Sequence, residues 1–213
     1  MEHTRVGHFV SAQEAARQLA RGEMLILIDN EERENEGDFV IAAEHVTAEA
    51  INLMVTRGRG LVCAPLTANR ARELGLGLQA ENNTALHGTN FTVSVDAVEG
   101  TTSGISTADR AQTVRVLADE EARPEDLGRP GHIFPIVSAS GGVTERAGHT
   151  EAIVDLLQIG GGKPVGVLCE ILNEDGSMAR LPELMDLAEE LGMSIARVDD
   201  VVRYRAQQQG RKE

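Results

Sequence analysis

Along this chain the spacing of apolar residues alternates between a helical and a strand period. Ser11 with Glu14 three positions on has the form of a capping box, and Ala12, Ala15, Ala16, Leu19 and Ala20 then recur at helical spacing until Gly22. Met24-Leu25-Ile26-Leu27-Ile28 is a continuous apolar run of strand length. Thr47 opens a second helix with Ile51, Met54 and Val55 inward, and Gly58 stops it. Leu61 to Ala64 reads as a short strand and the stretch from Thr67 to Leu74 as a helix. Phe91-Thr92-Val93-Ser94-Val95 alternates strictly, which predicts one half-exposed strand. A helix follows from about Ala108 to Asp119, then a strand over 133–137 and a helix after Thr150 with Ala152, Ile153, Leu156 and Leu157 on one face. Val165 to Leu172 is a strong strand ended by the Asp175-Gly176 turn. Pro182 starts the last clear helix, Gly192 ends it, and 194–198 suits one more strand. Residues 207–213 are polar and read as a frayed, disordered tail.

No internal repeat or long linker interrupts this order, so one mixed α/β domain is expected over 1–206. Alternation alone suggests a doubly wound parallel sheet. The loops at 29–38 and 75–90 are long and polar, however, and loops of that kind are often functional.

Composition removes several classes of function. With 213 residues, 41% hydrophobic and 25% charged, the chain matches a soluble globular protein. No run reaches the roughly 18 apolar residues of a membrane span, and Met1-Glu2-His3-Thr4-Arg5 lacks a signal-peptide pattern. A cytoplasmic location with no membrane partner is expected. The net charge of -14 argues against nucleic acid, whose nonspecific binding rests on phosphate neutralisation. Aromatics at 2% and the absence of Trp argue against base stacking. Cys63 and Cys169 form no CxxC motif and suggest neither a zinc ribbon nor a disulfide framework.

Three segments carry candidate chemistry. Asp29-Asn30-Glu31-Glu32-Arg33-Glu34-Asn35-Glu36-Gly37-Asp38 gathers carboxylates around a single Arg. It reads as a solvated acidic loop or as a site for a hard cation such as Mg²⁺, which takes one or two carboxylates and completes its shell with water and substrate. Arg33 would then hold a substrate oxygen or orient a carboxylate. Arg146-Ala147-Gly148-His149-Thr150-Glu151 precedes a helix. It is a capped helix start with a surface His, or a cradle in which backbone N–H groups, a hydroxyl and an Arg hold phosphate despite the acidic protein. Glu170 interrupts an apolar strand, where a carboxylate is rare unless paired and where burial raises its pKa towards proton-transfer use; facing water from an edge strand is the other reading. Gly131-His132 is a weaker signal. Gly160-Gly161-Gly162-Lys163 is not a phosphate loop, because Pro164 replaces the Ser or Thr and the spaced first glycine is missing.

Taken in order, Arg33-Glu34-Asn35-Glu36-Gly37-Asp38, Phe91 to Ala97, Ser106-Thr107-Ala108-Asp109-Arg110, Arg129 to Pro135, Gly148 to Ala152 and Gly166 to Glu170 resemble the 3,4-dihydroxy-2-butanone 4-phosphate synthase family over roughly 11–205. The resemblance implies a mixed α/β (α+β) fold with helices in three layers around a mixed sheet, and a homodimer with sites at or near the subunit interface. It makes Glu34 and His149 ligands of Mg²⁺ or Mn²⁺, with no organic cofactor. Arg33 and Asp38 would contact substrate, Arg146, Ala147, Gly148, His149 and Thr150 would hold its phosphate, and Cys63 and Thr107 would lie near the site. His132 and Glu170 would be essential for catalysis. Two departures, Asn30 and the Ala85-Leu86-His87 stretch, are expected to leave the matched ligands untouched.

The implied reaction turns D-ribulose 5-phosphate into L-3,4-dihydroxy-2-butanone 4-phosphate and formate, a riboflavin precursor step. A chelated cation would stabilise enediolates, and Asp38, Glu170 and His132 would move protons. A metal-dependent sugar-phosphate isomerase or aldolase would share the enediolate but release no formate. A catalytically dead homologue would have lost ligands, which the intact Arg33-Glu34, His149 and Glu170 argue against.

Overall fold

Successive side chains of a strand point to opposite faces of its sheet, so a strand apolar throughout must be covered twice. Leu25–Ile28 (β1) does this: Ile26 and Ile28 join one buried cluster, Leu25 and Leu27 a second. Gly37–Ala42 (β2) splits the same way, with Phe39 and Ile41 against Val40 and Ala42. A computed structural model describes residues 9–210. It adds strands Cys63–Leu66 (β3), Asn90–Phe91 (β4), Val95–Ala97 (β5), Leu127–Val137 (β6), Gly166–Glu170 (β7) and Ile195–Arg197 (β8).

The sheet order is β4-β6-β3-β7-β2-β1-β8, with β5 also on β6. β1 with β8 and β3 with β6 are parallel, and the remaining pairs antiparallel. The sheet is therefore mixed rather than doubly wound. Helices Ala12–Ala20 (α1), His149–Gly160 (α5) and Val198–Gln209 (α7) cover one face through Ala15, Leu19, Ile153, Leu156 and Val201. Helices Ala48–Leu53 (α2), Ala68–Glu73 (α3), Thr107–Ala118 (α4) and Leu181–Leu191 (α6) cover the other through Ile51, Ala71, Val114 and Leu184. Three layers result. Ser11, Thr47, Thr67 and Ser106 cap their helices through side-chain oxygens.

Several elements differ from the sequence reading. Phe91 to Val95 is not one strand: Thr92 still bonds to Pro135, but Val93 turns its N–H to the Gly77 carbonyl at 3.0 Å, and pairing with β6 resumes only at Val95. β2 went unread because its first residues belong to the acidic segment, although all six are buried. α7 was missed because it is polar, burying only Val198 and Val201. It also corrects the tail, since 207–209 continue this helix; residues 1–8 and 211–213 lie outside the described residues. Gly161 ends α5 in a left-handed conformation, so the glycine run is a helix stop.

Candidate active site

β1 and β2 are antiparallel neighbours, so the acidic segment is their connection, folded over the sheet end. Asp29 shapes it. Its buried carboxylate accepts the Glu36 N–H at Oδ1 (2.9 Å) and the Glu34 N–H (3.1 Å) and Arg33 Nη1 (2.9 Å) at Oδ2. Asn35 takes a positive φ of 55°, and Arg180 from the start of α6 donates to the Glu34 carbonyl (2.8 Å) and to the Asn35 carbonyl. At Gly37 a Cβ would lie 2.5 Å from a methyl group of Leu184, so a larger residue would have to push that buried side chain aside.

β2 then sets Asp38 opposite Glu170 of β7, side by side in register on the α5 face. Glu170 is held by the Leu61 N–H on Oε2 at 2.8 Å, and β7 is central rather than an edge. α5 begins above this pair. Its N-cap is Gly148, which offers no side-chain acceptor, so the first-turn N–H groups have none from the cap. A Cβ on Gly148 would sit 2.6 Å from Arg146 Nη1 and 2.9 Å from Arg33 Nη2, so two guanidinium groups converge on the helix start. Arg146 is fixed by Glu151 (2.7 Å), Thr89 Oγ1 (3.1 Å) and the His87 carbonyl. Dipole, free amides and two arginines together make an anion cradle.

Next to the cradle, His149 Nδ1 lies 3.7 Å from Glu34 Oε2, which Arg33 also contacts at 2.6 Å. His149 Nε2 and Asp38 Oδ1 are buried with no hydrogen-bond partner among the described residues. Buried polar atoms are nearly always paired, so two orphans facing one cleft point to something bound there. The cleft, about 140 Å³, is lined by Arg33, Glu34, Asp38, Arg146, His149 and Glu170 among others. Burial raises Asp38 to about 7, Glu170 and its other acidic neighbours adding to the effect against His149. Burial alone would lower His149, but Asp38, Glu34 and Asp29 win and lift it to about 9. His149 and then Arg33 hold Glu34 down to about 2. Asp29, Glu34 and His149 offer ligand atoms within 4.8 Å of one another. Asp29 is occupied by its three loop hydrogen bonds, so Glu34 and His149 are the available pair. Oxygen plus imidazole suits a hard or borderline divalent cation.

A family model described as 3,4-dihydroxy-2-butanone 4-phosphate synthase matches residues 13–204. The chain belongs to that family. It is 52% identical over 206 residues to the riboflavin biosynthesis protein RibBA of Cytophaga hutchinsonii, covering 96% of this chain and 50% of that protein. It is 49% identical over 201 residues to the 3,4-dihydroxy-2-butanone 4-phosphate synthase of Neisseria meningitidis serogroup B, covering 94% and 55%. The chain thus spans about half the length of these relatives. Among solved structures, a 3,4-dihydroxy-2-butanone 4-phosphate synthase in complex with two magnesium ions superposes with a TM-score of 0.91 at 38% identity, over 95% of this chain and 99% of that one. The two-domain RibBX of A. baumannii gives 0.88 at 45% identity, over 92% and 58%.

In this member of the 3,4-dihydroxy-2-butanone 4-phosphate synthase family, one chain brings together Arg33, Glu34, Asp38, Arg146, His149, Thr150 and Glu170 around the cleft. Gly148 forms the cradle and Ala147 is an exposed backbone link. Cys63 lies in β3 on the same face, buried beneath the site; burial and then Glu170 and Asp38 push its thiol up. Thr107 and His132 do not line the cleft. Thr107 starts α4 on the opposite layer, and His132 is an exposed residue of β6 bonded to Asp96. The Ala85-Leu86-His87 departure does reach the site, contrary to expectation: the His87 carbonyl accepts from Arg146 and its Nε2 lies 4.0 Å from Glu34. Asn30 bonds to Asp199 instead. Sequence reasoning missed Asp29 and Glu151. Each had a faint signal, an acid just past an apolar strand and an acid in the first turn behind an uncapped glycine.

Proposed function

We propose that this chain carries out the reaction named by its family, converting D-ribulose 5-phosphate to L-3,4-dihydroxy-2-butanone 4-phosphate and formate in riboflavin biosynthesis. The observation that carries the reading is the meeting of Glu34 and His149, the latter with an unpartnered Nε2, beside an uncapped helix start under two guanidinium groups. One end of that cleft suits a cation and the other a phosphate, the two handles of a sugar phosphate.

Glu34 and His149 would hold Mg²⁺ or Mn²⁺. When bound, such a cation supplies Lewis acidity, polarising substrate oxygens so that adjacent C–H bonds ionise. The chain's own groups do the rest. Arg33, Arg146 and the amides of Gly148 to Thr150 anchor the phosphate and so fix the sugar's direction along the cleft. Asp38, with its pKa near 7, is suited to accept a proton and return it near neutrality. Glu170, anchored by the Leu61 N–H, lines the same cleft beside Asp38. The water lost during the rearrangement is regained when one carbon leaves as formate, so the sugar phosphate balances the two products with no net water and no outside oxidant, and no organic redox cofactor is required.

His132 and Thr107 belong to the family pattern yet stand outside their own chain's cleft. A homodimer in which a second copy brings them to the cleft accommodates both. This working form is placed in the cytoplasm.

The test is to incubate the protein with D-ribulose 5-phosphate and Mg²⁺ and follow formate by NMR. Formate appearing in step with sugar loss supports the proposal. Substrate consumption without formate would instead indicate an isomerase or aldolase, and no consumption at all would indicate a binding protein.

A further inference from the structure

We infer that Asp96 is a positioning residue for His132, holding its imidazole in the Nδ1-protonated tautomer so that Nε2 keeps the free lone pair. The inference rests on the proposed function only for His132's part in the reaction.

The local sequence makes the arrangement. Val95 pairs with Ile133 but Asp96 pairs with Gly128, so 129–132 bulge out of the β5–β6 ladder. Bulges re-aim side chains. Gly131 permits this one: a Cβ there would lie 2.0 Å from the Val95 carbonyl carbon and 2.3 Å from the Asp96 nitrogen. The bulge returns His132 onto Asp96, whose Oδ1 accepts the His132 backbone N–H at 2.8 Å while Oδ2 lies 2.7 Å from Nδ1. One carboxylate therefore grips both the backbone and the ring of one residue. An ionised carboxylate only accepts, so the facing ring nitrogen must carry the hydrogen.

Gly104 covers the contact. It sits at φ +87°, and a Cβ on it would fall 2.0 Å from Asp96 Oδ2 and 2.7 Å from His132 Nδ1. Its own N–H donates to Asp109 Oδ2 (2.9 Å), which also takes the Thr102 N–H (3.1 Å) and hydroxyl (2.8 Å). The first turn of α4 thus pins the 102–104 segment over the carboxylate. The His132 side chain remains 43% exposed, and Nε2 bonds to none of the described residues. A neutral ring held this way takes a proton at Nε2, and Asp96 meets the charge of the resulting imidazolium, as the acidic member of a catalytic triad does.

A purely structural Asp96 would only pin the bulge, and Asp96→Asn separates the two roles. The amide oxygen can still accept the backbone N–H, while its NH₂ donates to Nδ1 and drives the ring proton to Nε2. Nitrogen-15 NMR of the histidine rings is expected to show a neutral Nδ1–H ring for His132 in the wild type and Nε2–H in Asp96→Asn. In the same variant, kcat for formate release should fall about 100-fold or more, with KM and Mg²⁺ affinity within a few-fold of wild type. Adding His132→Ala should cost little further. A neutral wild-type His132 ring with its single hydrogen on Nε2 overturns the inference, and so does a wild-type kcat in Asp96→Asn where His132→Ala is inactive. The wild-type spectrum decides the tautomer even where the variant does not fold. A fully active His132→Ala would overturn His132's assigned part in the reaction and leave the tautomer to be read from the spectrum.

Discussion

The connection between β1 and β2 and the bulge carrying His132 are built from the same parts, a carboxylate gripping backbone N–H groups and a glycine that lets chains approach, yet they end in opposite electrostatic states. In the first, together with β2 and the start of α5 that close over it, Asp29 and Glu151 are fully engaged and frame Arg33 and Arg146, while His149 Nε2 and Asp38 Oδ1 stay buried and unpaired among the described residues. In the second, Asp96 commits both oxygens to His132, and the ring looks out to solvent. Unpaired buried groups are costly, so a chain that keeps them keeps them for a ligand. A satisfied, exposed pair has no such deficit and serves by holding one group in a set state.

The largest effects should come from removing the unpaired centre. Glu34→Gln and His149→Ala are each expected to cut formate release on the order of 10³-fold or more and to weaken Mg²⁺ binding, with the double variant scarcely worse because the pair acts as a unit. Calorimetric Mg²⁺ titration and formate NMR on all three proteins check this; independent, multiplying losses would break the one-site reading. Stability should separate the two residues. The folded imidazole titrates near 9 against an ordinary 6.5, so the stability it contributes is fully present below about pH 6.5 and lost as pH rises through 9. His149→Ala should therefore lower the melting temperature more at pH 6 than at pH 9.5. Glu34, held down to about 2 by His149 and Arg33, contributes stability present above about pH 4.5 and lost as pH falls through 2, so Glu34→Gln should lower the melting temperature at pH 7 and have little effect near pH 2.

The anion cradle comes next in size. Gly148→Ala places a methyl between Arg146 and Arg33, so KM for the sugar phosphate should rise about tenfold or more while Mg²⁺ affinity in the absence of substrate stays close to wild type. An unchanged KM would remove the phosphate from the start of α5.

How legible this was from sequence differs between the two regions. The helix caps at Ser11, Thr47 and Thr67 were readable because capping is local chemistry. The order of the sheet was not, since nothing near Asp38 announces that Glu170 lies beside it. β2 hid behind its own acidic first residues, and polar α7 presented too narrow an apolar stripe to separate from a tail. At the site, Arg33, Glu34 and His149 stood out through family resemblance more than through pattern. Asp29 and Glu151 carry only the faint signals of their positions and Asp96 none, because an acid that serves by accepting N–H groups looks in sequence much like any surface acid.

Proton competition gives a smaller, graded test. A cation on His149 must displace the proton that the surrounding carboxylates stabilise there. Mg²⁺ affinity should therefore climb as pH rises from 7 towards 9, by up to about tenfold per unit, and binding should release a proton. Titration calorimetry in two buffers of different ionisation enthalpy measures that release. A flat pH dependence with no proton released would take His149 out of the ligand set.

The smallest effects should come from the two thiols, which lie on neighbouring strands and invite a disulfide reading. Cys63 pairs with Leu168 and points to the α5 layer, whereas Cys169 pairs with Phe39 and points to the α4 layer. A disulfide needs Cβ atoms that face each other, so the sheet itself stands between them. Burial pushes the Cys63 thiol up and carries Cys169 to about 12, leaving little thiolate to react. Intact-mass measurement without reductant should find both thiols free, and alkylation of the native protein should proceed no faster than unfolding. Cys169→Ser should be mild, because the Met54 and Glu170 carbonyls, each 3.6 Å from the sulfur, can accept from a hydroxyl. Cys63→Ser should lower turnover only partly, since the thiol lies under Asp38 and Glu170 without lining the cleft. A mass two protons light would contradict the geometry. Complete loss of formate release in a folded Cys63→Ser variant would move this thiol from the floor of the site into its chemistry.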